Sequence, residues 1–191
     1  FEQAGTSLNL FARDLTDRVM FGWEMPASYL QSVNALMIII GAPIFGAIWV
    51  WLERRNANPS IPMKAGLGLM GLAAGFFVLA WGAANATSDS LVSPSWLVVT
   101  YFLHTVGELC ISPIGLSAIT KLSPQRRVGQ MMGIWFVGAA LGNLFAGLVA
   151  GQLETMAPSD LFRTVAMIIG AVGLGALALA PQIKKWAGGV R

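Results

Sequence analysis

Charge and sulfur are what this sequence has least of. Of its 191 residues 11% are charged, whereas about a quarter are charged in a water-soluble domain. Cys110 is the one cysteine and His104 the one histidine. The lone thiol excludes an intrachain disulfide and any multi-cysteine metal site. The lone histidine excludes the two-histidine metallopeptidase pattern. No cationic stretch precedes the apolar N-terminal residues, so they do not read as a signal peptide. A chain that opens at Phe1, inside an apolar helix, is expected to be part of a longer protein. The twelve Lys and Arg residues are too few to cover a soluble surface of this size. A soluble enzyme and a disordered chain are thereby excluded. What is abundant is apolar: 55% of residues are hydrophobic and the mean hydropathy is +0.67. The solvent this chain must meet is lipid.

A helix needs about 20 apolar residues, rising 1.5 Å each, to cross a core of about 30 Å. Five stretches meet that length, at 28–52, 62–84, 94–121, 128–152 and 161–182, and 1–13 reads as the second half of a sixth. The expected fold is an all-α membrane protein of about five and a half transmembrane helices joined by short polar turns. Alternating spans put Arg54, Arg55, Lys64, Lys121, Arg126, Arg127, Lys184, Lys185 and Arg191 on one side and only Arg13, Arg18 and Arg163 on the other. The positive-inside rule makes the first side cytoplasmic, with the C-terminus inside. These cations are accounted for by topology and call for no nucleic-acid partner. Glycines four apart, Gly71 and Gly75, Gly138 and Gly142, Gly147 and Gly151, predict close helix packing.

Of the nine acids, only Glu2 and Glu108 lie deep within spans. A charge at that depth costs at least about 2.5 kcal/mol, so each is a functional candidate. Glu108 shares a helix face with His104 and Ser112, four residues apart on either side. Pro113 lacks an N–H and frees the carbonyl of Leu109, which allows a bend just beyond Glu108. Freed backbone at membrane depth is tolerated against protein or a water-filled cavity, so this face reads as a cavity wall. His104 reads as a hydrogen-bonding neighbour of Glu108 or as a proton carrier.

Four segments on four spans then resemble one family in order: Phe1-Glu2-Gln3-Ala4-Gly5-Thr6-Ser7; Gln31-Ser32-Val33-Asn34 with Ala42-Pro43-Ile44-Phe45; Gly107-Glu108-Leu109 through Ser112-Pro113-Ile114-Gly115-Leu116-Ser117; and Met131-Met132-Gly133-Ile134-Trp135-Phe136. They are similar to the last six helices of the proton-coupled oligopeptide transporters, a branch of the major facilitator superfamily. The resemblance implies the C-terminal half of a twelve-helix bundle, starting inside the seventh helix, and a transporter rather than an enzyme. It implies proton-coupled import of di- and tripeptides by alternating access, with protons as coupling ion, no cofactor, and a site at the interface with an N-terminal six-helix half. On it, Glu108 would face the peptide amino terminus, Asn34 the peptide backbone, and Trp135 a side-chain pocket. Ser112 would join the substrate site, Glu2 would take up the proton, and Gly107 and Pro113 would mark a gating bend. The implied location is a bacterial inner membrane. The loop 121–127 is more basic than the family pattern. From spacing alone, Asn34 reads equally as an amide joining two helices and Trp135 as a packing or interfacial ring. Rival readings are a transporter of nitrate, a sugar or a drug, and an accessory membrane subunit whose acids hold a partner.

Overall fold

A computed structural model describes residues 7–20, 22–87 and 90–186. Five long helices dominate: α2 (Ala27–Arg54), α3 (Ile61–Asn85), α4 (Ser95–Leu122), α5 (Val128–Gly151) and α6 (Pro158–Trp186), preceded by the short α1 (Ser7–Asp14). Their ends follow local chemistry. Pro62 sits in the first turn of α3, where its missing N–H costs nothing, and Pro158 opens α6 in the same way. α2 stops at Arg55 because Asn56 turns left-handed at φ 54°. The Asn56 N–H then donates to Glu53 O and the Ala57 N–H to Leu52 O, each at 2.9 Å, which satisfies two carbonyls that the helix end leaves unpaired.

α3 is the central element. It packs along α6 on one side and α4 on the other, and α2 rests on α4. In lipid the tails are as apolar as leucine, so helices are held by dispersion at close range rather than by the hydrophobic effect. Glycines make that range short. A Cβ on Gly107 would lie 2.5 Å from the Gly68 carbonyl oxygen, and one on Gly71 would lie 3.2 Å from that of Leu103. Gly107 thus marks the crossing of α4 and α3. Gly66 and Gly173 are crowded in the same way at the α3–α6 contact, by Leu177 and by Leu69 and Met70. The glycines of α5 differ from expectation: nothing described lies within 4 Å of a Cβ on Gly138, Gly142, Gly147 or Gly151. The reason is that α5 stands off from the rest, with Ala146 its one buried residue.

At the Val92 end, a run of rings fixes α1 to the bundle. Phe11 meets Phe162 edge-on at 6.0 Å, Phe162 stacks on Phe76 at 6.3 Å, and Phe76 meets His104 at 4.8 Å. The link from α1 to α2, expected as a plain polar turn, contains a two-residue hairpin, β1 (Val19–Met20) against β2 (Trp23–Glu24), turning at Gly22 with φ 81°. It is stapled to the α3–α4 link by Asp17 N–H to Val92 O and Val92 N–H to Leu15 O, both 2.9 Å. Arg18 closes it with Glu24 at 2.8 Å and Met25 O at 2.9 Å. Four residues per pair of strands leave too short an alternation to read from sequence. Lys64, counted among the cations of the cytoplasmic side, is 6% exposed, and its ammonium lies 4.3 Å from the Trp49 ring centre.

The crossing at Gly107 yields a test. Gly107→Val forces a side chain onto the Gly68 carbonyl and should cost about 1–3 kcal/mol, seen as a lower Tm of the full-length protein in detergent. Gly147→Ala meets open space and should hold or raise Tm, by up to about 1 kcal/mol of helix propensity. Equal losses in the two variants would contradict the packing described.

Candidate functional site: a carboxyl in an apolar cavity

The α3–α4 crossing sets the position of Glu108, the residue after Gly107. Its side chain is half-buried and borders a cavity of about 660 Å³ between α3, α4, α5 and α6. Leu72 and Phe76 of α3, Ala139, Phe145 and Ala146 of α5, and Val165 and Ile169 of α6 form most of the wall. Trp135 reaches the same cavity from α5, and its ring lies against Gly115 of α4, where any Cβ would overlap it. Glycine at 115 is therefore what lets the tryptophan approach α4. Asn143 is the further polar residue on the wall. The sequence reading missed it; the signal available was a lone amide inside the apolar run of α5.

Glu108 and Trp135 are brought together. Asn34 is placed elsewhere, at the α2–α4 contact, where its Oδ1 accepts a hydrogen bond from the Thr105 hydroxyl at 2.7 Å. Thr105 is buried, and its partner role was also missed, since threonine is common in spans and gives no signal of its own. His104, one turn from Glu108, turns toward α3 instead, packed against Phe76 and Gly75. α4 continues as helix through Ser112 and Pro113, whose side chains lie outside those described, and Glu2 lies outside the described residues. No His, Cys, Asp and Glu cluster able to hold a metal occurs among the described residues.

Chemically, the arrangement is a carboxyl on an apolar wall with no cation paired to it among the described residues. A buried carboxylate left alone is costly, and an ammonium that hydrogen-bonds it removes that cost. Apolar walls and the Trp135 ring offer space for a hydrocarbon or aromatic group beside that ammonium.

Four described helices are long and apolar enough to cross a membrane, and together with the bundle they make this a multi-pass membrane protein, an assembly of spans around an intramembrane polar site. The model of the PTR2 family, the POT family, matches residues 1–168. The chain belongs to that family. It is 45% identical over 181 residues to the peptide transporter YePEPT of Yersinia enterocolitica, covering 91% of this chain and 35% of that protein. It is 37% identical over 153 residues to dipeptide and tripeptide permease A of Escherichia coli K12, covering 80% of this chain and 30% of that protein. Among solved structures, a peptide transporter POT in complex with sulfate matches with a TM-score of 0.86 at 35% identity, over 96% of this chain and 37% of the other. A POT family transporter in complex with 5-aminolevulinic acid matches with a TM-score of 0.85 at 25% identity, over 95% and 37%. The fold is thus the all-α bundle of this branch of the major facilitator superfamily. The chain spans about a third of the length of these relatives.

The Asn34–Thr105 bond gives the prediction for this region. A double-mutant cycle of Asn34→Ala and Thr105→Val in the full-length protein should return a coupling of about 0.6 kcal/mol, the average for an interhelical hydrogen bond in a membrane. Additive losses would contradict the bond.

Proposed function

We propose that this chain is the C-terminal half of a proton-coupled importer of di- and tripeptides, working by alternating access with an N-terminal six-helix half. The observation that carries the reading is Glu108, an acid on an apolar cavity wall beside Trp135 and without a cationic partner among the described residues. The names of its relatives, peptide transporter and dipeptide and tripeptide permease, support the same substrate class.

Glu108 holds the peptide ammonium. Trp135 lines the space for a peptide side chain. Asn34 has its Oδ1 engaged by Thr105, which orients the amide NH₂ for donation to a peptide carbonyl. Ser112, four residues after Glu108, joins the substrate site, and Gly107 and Pro113 flank the point where α4 bends during the cycle. Glu2 is the coupling acid: open to water it exchanges a proton, and in the closed, dry site the neutral form is favoured. The peptide and its proton then enter together. The charge asymmetry of the loops supports a cytoplasmic C-terminus, and the bacterial origin of the relatives supports an inner-membrane location.

The two acids make separable predictions in the full-length protein. Glu108→Gln should weaken binding of a free dipeptide by at least about 1.5 kcal/mol, the low end for a hydrogen bond to a charged group. Peptides with a blocked amino terminus should lose much less, and equal losses would make Glu108 structural. Glu2→Gln should abolish accumulation driven by a proton gradient while peptide exchange at equal pH survives. Retained gradient-driven accumulation would sink the coupling role.

A further inference from the structure

Two buried polar atoms of α4 have no hydrogen-bond partner among the described residues, the Tyr101 hydroxyl and His104 Nε2. Tyr101 is 1% exposed. A Cβ on Gly75 would lie 2.6 Å from His104 Nε2, so this nitrogen is held against α3. An unpaired buried polar atom costs about 1–3 kcal/mol, and in native proteins internal water usually supplies the missing partner. Tyr101, His104 and Glu108 stand at i, i+3 and i+7, on one face of α4, with successive rises of about 4.5 Å and about 6 Å. Water is small enough to serve both orphaned atoms and can both donate and accept. Phe76, which packs on His104, also lines the cavity at Glu108, so one ring separates His104 from that cavity.

We propose that Tyr101 and His104 hold internal water that forms a proton path along α4 to the Glu108 cavity. His104 Nε2 anchors the water, and the Tyr101 hydroxyl gives one proton as it takes another, so neither group ends the passage changed. The inference rests on the peptide-symport reading and adds to it a route from the Val92 end, on which the Glu108 carboxylate accepts the proton while no peptide ammonium occupies it and water in the cavity carries the proton on to Glu2. Facing this stretch, α3 presents Leu72, Gly75 and Phe76, and Phe162 of α6 lies beyond Phe76. None of these titrates. Lys64, the charged residue of α3, lies 11 residues from Gly75, about 16 Å along the helix. A second buried hydroxyl without a partner among the described residues is that of Ser7 on α1.

The test is Tyr101→Phe in the full-length transporter, reconstituted in liposomes and assayed with a labelled dipeptide. The ring stays and only the orphaned hydroxyl goes. Gradient-driven accumulation should fall at least about tenfold, a modest part of what positioned proton-transfer groups contribute, with exchange at equal pH unchanged. His104→Leu should do the same, and His104→Gln, which restores a polar atom, should recover part of the loss. Driven uptake unchanged in Tyr101→Phe overturns the path, because removing a merely unpaired hydroxyl is neutral or stabilising. Driven uptake and exchange falling together, with folding yield, overturns it also, in favour of packing. Ordered water at both atoms in a high-resolution map of the full-length protein is a readout independent of transport, and its absence refutes the path. A wild-type protein with no driven peptide uptake would instead refute the symport reading.

Discussion

The close approach of α3 and α4 at Gly68 and Gly107 is the contact from which the rest of the bundle takes its geometry. Lipid gives helices no hydrophobic reason to associate, so attraction must come from atoms in contact, and contact requires backbones without side chains between them. Two glycines facing each other supply this. The crossing sets the depth and azimuth of Glu108, since it is the next residue along. It also sets His104, one turn earlier, against Gly75 and Phe76. α6 completes the bundle on the other side of α3 through Gly66 and Gly173, and the aromatic run from Phe11 to Phe76 carries α1 onto it.

Against this tight trio, α5 is loosely held. Its described glycines face open space, and its contact with α4 is concentrated where Trp135 lies on Gly115. Within this chain α5 has few packed neighbours, and it carries the ring that shares a cavity with Glu108. The chemistry therefore sits between a fixed element and a loosely packed one.

Composition and run length made the fold class legible, because a chain this poor in charge has one solvent open to it and the backbone must then be helical. The family was legible from four segments on four spans. Glu108 announced itself as an acid in an apolar run, and the structure sets it on a cavity with Trp135. Other features depend on which faces meet, and one sequence does not give that. Gly107 packs against Gly68, which belongs to no four-residue glycine pair. Asn34 finds Thr105 across 71 positions. Lys64, read only as a cytoplasmic-side cation, is buried with its ammonium over the Trp49 ring of α2. The hairpin at Val19–Glu24 is fixed by backbone bonds to a distant loop and by Arg18 rather than by any pattern of its own residues.

The central claim is that this chain belongs to a machine in which a peptide and a proton cross together. Its most direct test is uptake of a labelled dipeptide by the wild-type full-length protein in sealed liposomes, with the outside either more acidic than the inside or at the same pH. The account predicts accumulation above the external concentration only with the acidic outside, collapsing when a proton ionophore is added. Equal uptake with and without the gradient, or no peptide uptake beside transport of nitrate, a sugar or a drug, would contradict it.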